Sequence, residues 1–354
     1  MKVTCTHCKK VYNIPDERLP KKESISFPCP ACKGIIDIKL NMSEPDSTAS
    51  LKKEPQEMNT SANESAKQNR LGGDLLKKRI LRKVQSLPPM PQTIFKAREI
   101  LGDPDSSFSD LAKVIEVDQS LTARVLKLAN SAYYGMVSKV SSLQHASVVL
   151  GYRTIGELVT LASSSSILGK TLEGYGLDAG SLWQHSLAVG FGAKFIANKI
   201  RPEYSQDAFT SGLLHDIGKI VLDPYVLDWK DKFEPYLNNN KDFLSAEKDI
   251  LGFDHCEIAA ELCELWKIPK TLVNAINYHH YPSRLNNSDD PLADMVHIAD
   301  VAAMMTGLGA GIDGLKYTMD EKAMERIGVT ESLISEISCE AADSVNKLSQ
   351  NMNL

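Results

Sequence analysis

The sequence predicts a mainly all-α protein with a small β unit at its N-terminus. Three observations carry that expectation. Apolar residues recur at helical spacing from Leu71 onward. Segments that alternate apolar and polar side chains are almost absent after residue 40. Four of the seven cysteines fall within the first 32 residues.

The N-terminal unit is read as residues 1–40. Its cysteines form two pairs, Cys5-x-x-Cys8 and Cys29-x-x-Cys32, with 20 residues between the pairs. Two intervening residues let both sulfurs of a tight knuckle reach one ion, and two knuckles complete a tetrahedral four-cysteine zinc shell. His7, between the first two cysteines, reads as a bystander. A unit of this size has too little core to fold alone, so metal binding would supply the missing folding free energy. Lys33-Gly34-Ile35-Ile36-Asp37-Ile38 reads as a turn followed by a short strand. The unit resembles the short prokaryotic zinc ribbon found at the N-termini of many bacterial regulatory proteins. It carries eight Lys or Arg against four Asp or Glu. Four thiolates and one Zn²⁺ reduce that excess to about +2, which is weak for phosphate binding.

Residues 41–70 change composition to Ser, Glu, Lys, Asn and Pro, without aromatics, Val or Ile. Such a segment cannot bury enough apolar area to offset the entropy of ordering and is expected to be a disordered linker. Its root-mean-square span would be on the order of 30 Å.

The helical domain is read as 71–300. Leu75, Leu76, Ile80 and Val84 share one helical face, and Leu87-Pro88-Pro89-Met90-Pro91 stops that helix. Ser109 is expected to cap a helix through Ile115, and Ser120 one from Leu121 to Leu128. Further helices are expected over Trp183–Ile200, Glu257–Trp266, Thr271–His280 and Leu292–Met305. Residues 301–354 form a helical extension expected to pack on the domain. Its last helix is capped by Thr330 and carries Ile334, Ile337, Ala341, Val345 and Leu348. Trp183, Trp266 and the pair Tyr133-Tyr134 are expected in the core, and Cys256, Cys263 and Cys339 read as isolated thiols.

Composition narrows the function classes. The net charge of -5 and pI near 5.9 argue against a general nucleic-acid binder. No apolar run approaches the roughly 18 residues of a membrane span, and the N-terminus has no apolar signal-peptide region. The expectation is a cytoplasmic protein with reduced thiols.

The chemistry concentrates in Leu213-Leu214-His215-Asp216-Ile217-Gly218-Lys219. An adjacent His and Asp within an apolar helical run are costly to bury without a partner, and a divalent ion suits both donors. Lys219, one turn on, could meet a phosphate oxygen. Four further candidates lie in apolar context: His185, His255, the pair His279-His280 and Asp300. Taken singly, His185 or His255 could equally be a hydrogen-bonded core histidine, and Asp300 could pair with His297 one turn away. Taken together, His215 and Asp216, helped by His185 and Asp300, are expected to hold a divalent ion, with His255, His279 and His280 available for a second.

In that order these residues resemble the HD superfamily, in particular its HD-GYP branch. Leu87–Pro91, Leu121-Thr122-Ala123-Arg124-Val125-Leu126-Lys127-Leu128-Ala129-Asn130-Ser131-Ala132-Tyr133-Tyr134-Gly135, Ser142-Leu143-Gln144-His145-Ala146 and Leu150-Gly151 resemble the HDOD family. The resemblance covers about Leu76 to Pro282, with related helices toward Asp300. It implies an HD-superfamily-like helical fold and a signalling output or regulatory role, with other signalling proteins as partners and a small nucleotide as a candidate ligand. HD enzymes use these positions to hold one or two metals such as Fe, Mn or Zn and hydrolyse phosphate esters. The second reading is therefore a metal-dependent phosphohydrolase acting on a nucleotide or cyclic dinucleotide, with Lys219 steadying the phosphate. A third is a nucleic-acid adaptor working through the ribbon. Tyr281-Pro282-Ser283-Arg284 stands where active cyclic-di-GMP phosphodiesterases of the HD-GYP type carry a longer Glu, Asp-Gly and Gly-Tyr-Pro signature, which argues against that substrate.

Overall fold

The computed structural model divides the chain into two compact units, Met1–Asn59 and Thr60–Leu354. It describes residues 2–4, 11–13, 24–28, 35–39, 75–82, 96–97, 99–101, 103, 105–238, 242–285, 290–309, 311–312 and 318–349. Cys5, His7, Cys8, Cys29, Cys32 and the whole 41–70 segment lie outside the described residues.

In the first unit two antiparallel pairs are described. β1 (Lys2–Thr4) pairs with β2 (Val11–Asn13), Val3 opposite Tyr12. β3 (Ser24–Pro28) pairs with β4 (Ile35–Lys39), Ser26 opposite Asp37. β4 is the strand expected after the Lys33-Gly34 turn.

The second unit is helical. Among its described residues the one β feature is an isolated bridge between Leu172 and Leu177. After a helical segment over 75–82, α1 (Phe108–Glu116), α2 (Gln119–Ala129), α3 (Leu143–Leu150) and α4 (Tyr152–Leu168) pack on one another. The expected caps shift by two residues. Ser107, not Ser109, starts α1, because Asp110 reaches back to the Ser107 backbone in a capping box. Asp118, not Ser120, starts α2 by accepting from the Leu121 N–H at 3.0 Å.

α5 (Ser181–Ile200) is apolar on nearly all sides, the mark of a central helix. It packs against α6 (Ser205–Leu214), α12 (Leu292–Met305) and α14 (Glu331–Ser349). α7 (Gly218–Asp228) packs on α10 (His255–Leu265), which packs on α11 (Lys270–Tyr278). α8 (Lys230–Asn238) and α9 (Phe243–Leu251) pack on each other, and α13 (Glu321–Ile327) on α12. α14 turns Ile337, Ala341, Val345 and Leu348 inward. Trp183 is fully buried, Tyr133 packs on Phe191, and Trp266 is partly covered by the core.

Two glycines bring the site-bearing elements close. A Cβ on Gly212 would stand 2.8 Å from the Val189 carbonyl oxygen, so α6 can approach α5 only without one. A Cβ on Gly218 would collide with the His255 carbonyl oxygen, so α7 lies directly against the start of α10. No helix among the described residues is long and apolar enough to cross a membrane.

Candidate metal centre

Each site residue sits at a helix end or faces the interior. His185 lies in the first turns of central α5, and Asp300 on facing α12. His215 and Asp216 were expected on a helix. They occupy instead the turn between α6, which ends at Leu214, and α7, which begins at Gly218. The cause is local: His215 Nδ1 lies 2.7 Å from the Gly212 carbonyl oxygen and satisfies one of the last carbonyls of α6. His279 and His280 likewise follow the end of α11 at Tyr278 rather than lying within it, and His279 Nδ1 contacts the Ile276 carbonyl oxygen at 2.6 Å. His255 is the first residue of α10, two residues earlier than periodicity suggested, because Asp254 and Glu257 form a capping box.

These elements bring all the HD-site candidates together. His185, His215, Asp216, Lys219, His255, His279, His280 and Asp300 converge, and none is more than 9% exposed. His185 Nε2 lies 3.0 Å from Asp300 Oδ1 and 3.8 Å from Asp216 Oδ2. His215 Nε2 lies 3.3 Å from Asp216 Oδ2 and 3.8 Å from Asp300 Oδ1. On the other side, His255 Nε2 is 3.3 Å and His279 Nε2 4.0 Å from Asp216 Oδ1. His255 Nε2 and His280 Nε2 are 3.1 Å apart. Asp216 thus turns one oxygen toward each half of the cluster.

Four of the five histidines, His185, His215, His255 and His279, share one orientation. A carbonyl oxygen only accepts, so His215 and His279 donate from Nδ1 and leave Nε2 free of a proton when neutral. His185 Nδ1 faces the Leu308 carbonyl oxygen at 3.3 Å. His255 Nδ1 faces Glu247 Oε2 at 2.8 Å. An outer partner on one ring nitrogen, with the other nitrogen aimed inward, is how proteins prepare imidazole for a metal.

Charge balance points the same way. Burial alone would raise the Asp216 carboxyl, but the charges of His215 and Lys219 outweigh it and hold the group well below its ordinary value. Burial opposes the Asp300 carboxylate too, and the His185 hydrogen bond with the His215 and His185 charges overcomes it. Burial and the His215 charge push His279 down to about 3, and burial with the His279 charge lowers His280. Burial also disfavours protonated His185, but its bond to Asp300 leaves it above the ordinary value. The site therefore offers two anionic carboxylates beside two imidazoles, His279 and His280, that stay neutral, while Glu247 and Asp216 raise His255 against its burial.

The Lys219 ammonium, expected to be available to a phosphate, is buried and lies 2.8 Å from Asp216 Oδ2. That contact lacks hydrogen-bond geometry: both Asp216 oxygens and His215 Nε2 are buried without a hydrogen-bond partner among the described residues. Buried polar atoms without partners are costly, and cations bound on the two sides of Asp216 would satisfy them. The donors fit one. Ligand atoms of His185, His215 and Asp300 lie within 4.8 Å of one another, as do those of His215, Asp216 and His279, and those of His255, Cys256, His279 and His280. Imidazole and carboxylate donors suit borderline divalent ions.

Asp300 does not pair with His297. His297 Nδ1 donates to the His279 carbonyl oxygen at 2.7 Å, and its Nε2 accepts from the Asp320 N–H at 2.9 Å. Sequence reasoning missed Glu247, which is fully buried and accepts from Tyr175 Oη at 2.5 Å and from the His255 N–H at 2.9 Å. Its signal was a carboxylate on the apolar face of α9, between Phe243 and Leu251. It also missed Cys256, which belongs to the cluster. A pocket of about 220 Å³ reaches the centre from outside, lined by His280, Cys256, Lys248, Tyr281 and Arg284 among others.

A family model described as the HDOD domain matches residues 87–282. The chain belongs to the HDOD family. A zinc-ribbon domain model matches residues 1–37, so this HDOD protein carries a zinc ribbon ahead of its helical unit. An uncharacterised Treponema pallidum (strain Nichols) protein is 25% identical over 223 residues, covering 62% of this chain and 42% of that protein. The chain therefore spans about two fifths of the length of that curated relative. Among solved structures, an HDOD domain protein of unknown function from Geobacter sulfurreducens matches with a TM-score of 0.67 and 25% identity, over 78% of this chain and 97% of that one. A Shewanella amazonensis protein provisionally named a phosphohydrolase matches at 0.54 and 25%, over 75% and 97%. A Marinobacter aquaeolei protein provisionally named for signal transduction matches at 0.64 and 23%, over 82% and 67%. The expected all-α HD-like fold is thus the fold of this HDOD chain.

Proposed function

We propose that this protein is a cytoplasmic signalling regulator whose HDOD domain holds one or two divalent metal ions as part of its folded, partner-binding state. The observation that carries the reading is Asp216. Its two buried oxygens lack hydrogen-bond partners and lie between the inward Nε2 atoms of His185, His215, His255 and His279. His185, His215, Asp216 and Asp300 would hold one ion, and His255, His279 and His280 a second. When bound, the first ion would supply positive charge that ties three separate chain segments together, and the second would tie two more. Other signalling proteins, and a small nucleotide ligand, are the partners this reading expects. The ribbon is proposed to hold one Zn²⁺ through Cys5, Cys8, Cys29 and Cys32, a closed structural site.

The test is metal analysis by mass spectrometry of the full chain after growth in Mn, Fe or Zn. Wild type is expected to hold more metal than the ribbon's one zinc equivalent, and Asp216→Ala and Asp300→Asn to lose the metal of the first position. Wild type holding only the ribbon's equivalent would defeat the reading.

A second reading, a metal-dependent phosphohydrolase, is favoured by the pocket that reaches His280 and by the likeness to the Shewanella protein. Hydrolysis of a simple phosphodiester or a cyclic dinucleotide, lost in Asp216→Ala, would select it. A metal-loaded chain without turnover selects the regulator.

A further inference from the structure

Among the described residues Cys256, Cys263 and Cys339 are free thiols, and only Cys256 lies in the metal centre. The Asp254–Glu257 capping box fixes the first turn of α10, so His255 and Cys256 are both set against the turn after α11. Cys256 Sγ stands 4.0 Å from His279 Nε2, and His255 Nε2 stands 3.1 Å from His280 Nε2. All four donor atoms lie within 4.8 Å of one another. A tetrahedral zinc ion with Zn–N of about 2.0–2.1 Å and Zn–S of about 2.3 Å needs donors roughly 3.3–3.7 Å apart. The Cys256–His279 and His255–His280 separations differ from that by a few tenths of an ångström, and the other pairs lie within 4.8 Å. The facing set, His185, His215 and Asp300, has no sulfur. Cys256 also lines the pocket beside His280, which supplies an entry path for an ion.

We propose that Cys256 is the fourth donor of the second cation position, with His255, His279 and His280, and that its sulfur makes this position selective for Zn²⁺ or a similarly soft divalent ion. The facing position, with nitrogen and oxygen donors only, accepts harder ions such as Mn²⁺. Thiolate ligands favour zinc over Mn²⁺ or Mg²⁺, whereas carboxylate and imidazole discriminate less. Binding replaces the S–H bond by a sulfur–metal bond, and the proton leaves to solvent. The proposal rests on the reading that the helical unit holds metal at all. It differs from ordinary burial of a small thiol, which would leave metal content indifferent to the sulfur.

The full-length protein and Cys256→Ser are loaded with zinc, then separately with cobalt(II), and metal per chain is counted. Cys256→Ser is expected to hold one zinc equivalent fewer than wild type. The wild-type minus variant cobalt spectrum is expected to carry a sulfur-to-cobalt charge-transfer band, the ribbon contributing equally to both. Equal zinc content with superimposable spectra would overturn the role of Cys256 while leaving the metal reading intact. Wild type holding only the ribbon's equivalent would overturn both. Cadmium NMR of the unsubstituted chain guards against a misfolded variant. The expected result is a second sulfur-bound resonance, upfield of the all-sulfur ribbon signal; only nitrogen- and oxygen-bound resonances beside the ribbon's would refute the proposal.

Discussion

Glu247 holds His255 at two points, accepting from the backbone N–H at 2.9 Å and facing ring Nδ1 at 2.8 Å through the same carboxylate oxygen, Oε2. Its other oxygen accepts from Tyr175 Oη. A residue eight positions upstream thus fixes the ring orientation that turns His255 Nε2 toward Asp216 and His280.

The first prediction follows directly. Glu247→Gln keeps the shape but removes the charge that favours the Nδ1–H tautomer. Metal affinity at the His255 position is expected to fall about 10- to 100-fold, measured by chelator competition. Glu247→Ala is expected to cost on the order of 3 kcal/mol or more in chemical denaturation, because three buried donors lose their acceptor. Unchanged affinity in Glu247→Gln would mean that Glu247 does not orient a ligand.

Asp216 and Lys219 form a buried ion pair. Removing Asp216 takes away the carboxylate that faces a buried ammonium. Metal-free Asp216→Ala is expected to be destabilised by about 3–5 kcal/mol. The double variant Asp216→Ala/Lys219→Met is expected to recover much of that loss. Additive effects in the double-mutant cycle would show the pair to be uncoupled.

The cap of α1 has a pH signature. Hydrogen bonds from the Ser107 side chain and backbone, with a further one from Lys113, lower the Asp110 carboxyl from 3.8 to about 2. A carboxyl lowered on folding contributes stability that is complete above its unfolded value and is lost as pH falls through the folded one. The contribution is therefore expected to persist down to about pH 4 and disappear toward pH 2. NMR titration should place Asp110 near 2 in wild type and nearer 3.8 in Ser107→Ala. A wild-type midpoint at 3.8 would contradict the capping box.

Thiol reactivity should separate Cys339 from Cys263. Cys339 is exposed, whereas burial pushes the Cys263 thiol far up and keeps it protonated. Alkylation of the native chain, followed by peptide mass spectrometry, is expected to modify Cys339 at least about tenfold faster than Cys263. Equal rates would mean that the α10 core opens readily.

The helical class, the candidate site residues and the family resemblance were legible in sequence, because helical periodicity and residue chemistry are local properties of the chain. His185, His215, Asp216, His255, His279, His280 and Asp300 could be named one by one from polar side chains in apolar context. Tertiary structure decided how they meet. His215 and His279 bond back to carbonyls of their own helices, which ends those helices and places both side chains in turns. Gly212 and Gly218 admit backbone contacts that bring α5, α6, α7 and α10 together. Lys219 faces Asp216, His297 turns from Asp300 to the His279 carbonyl, and Glu247 and Cys256 join the cluster. Those outcomes depend on which buried polar groups find one another across long separations in the chain, and only the packed helices fix that pairing.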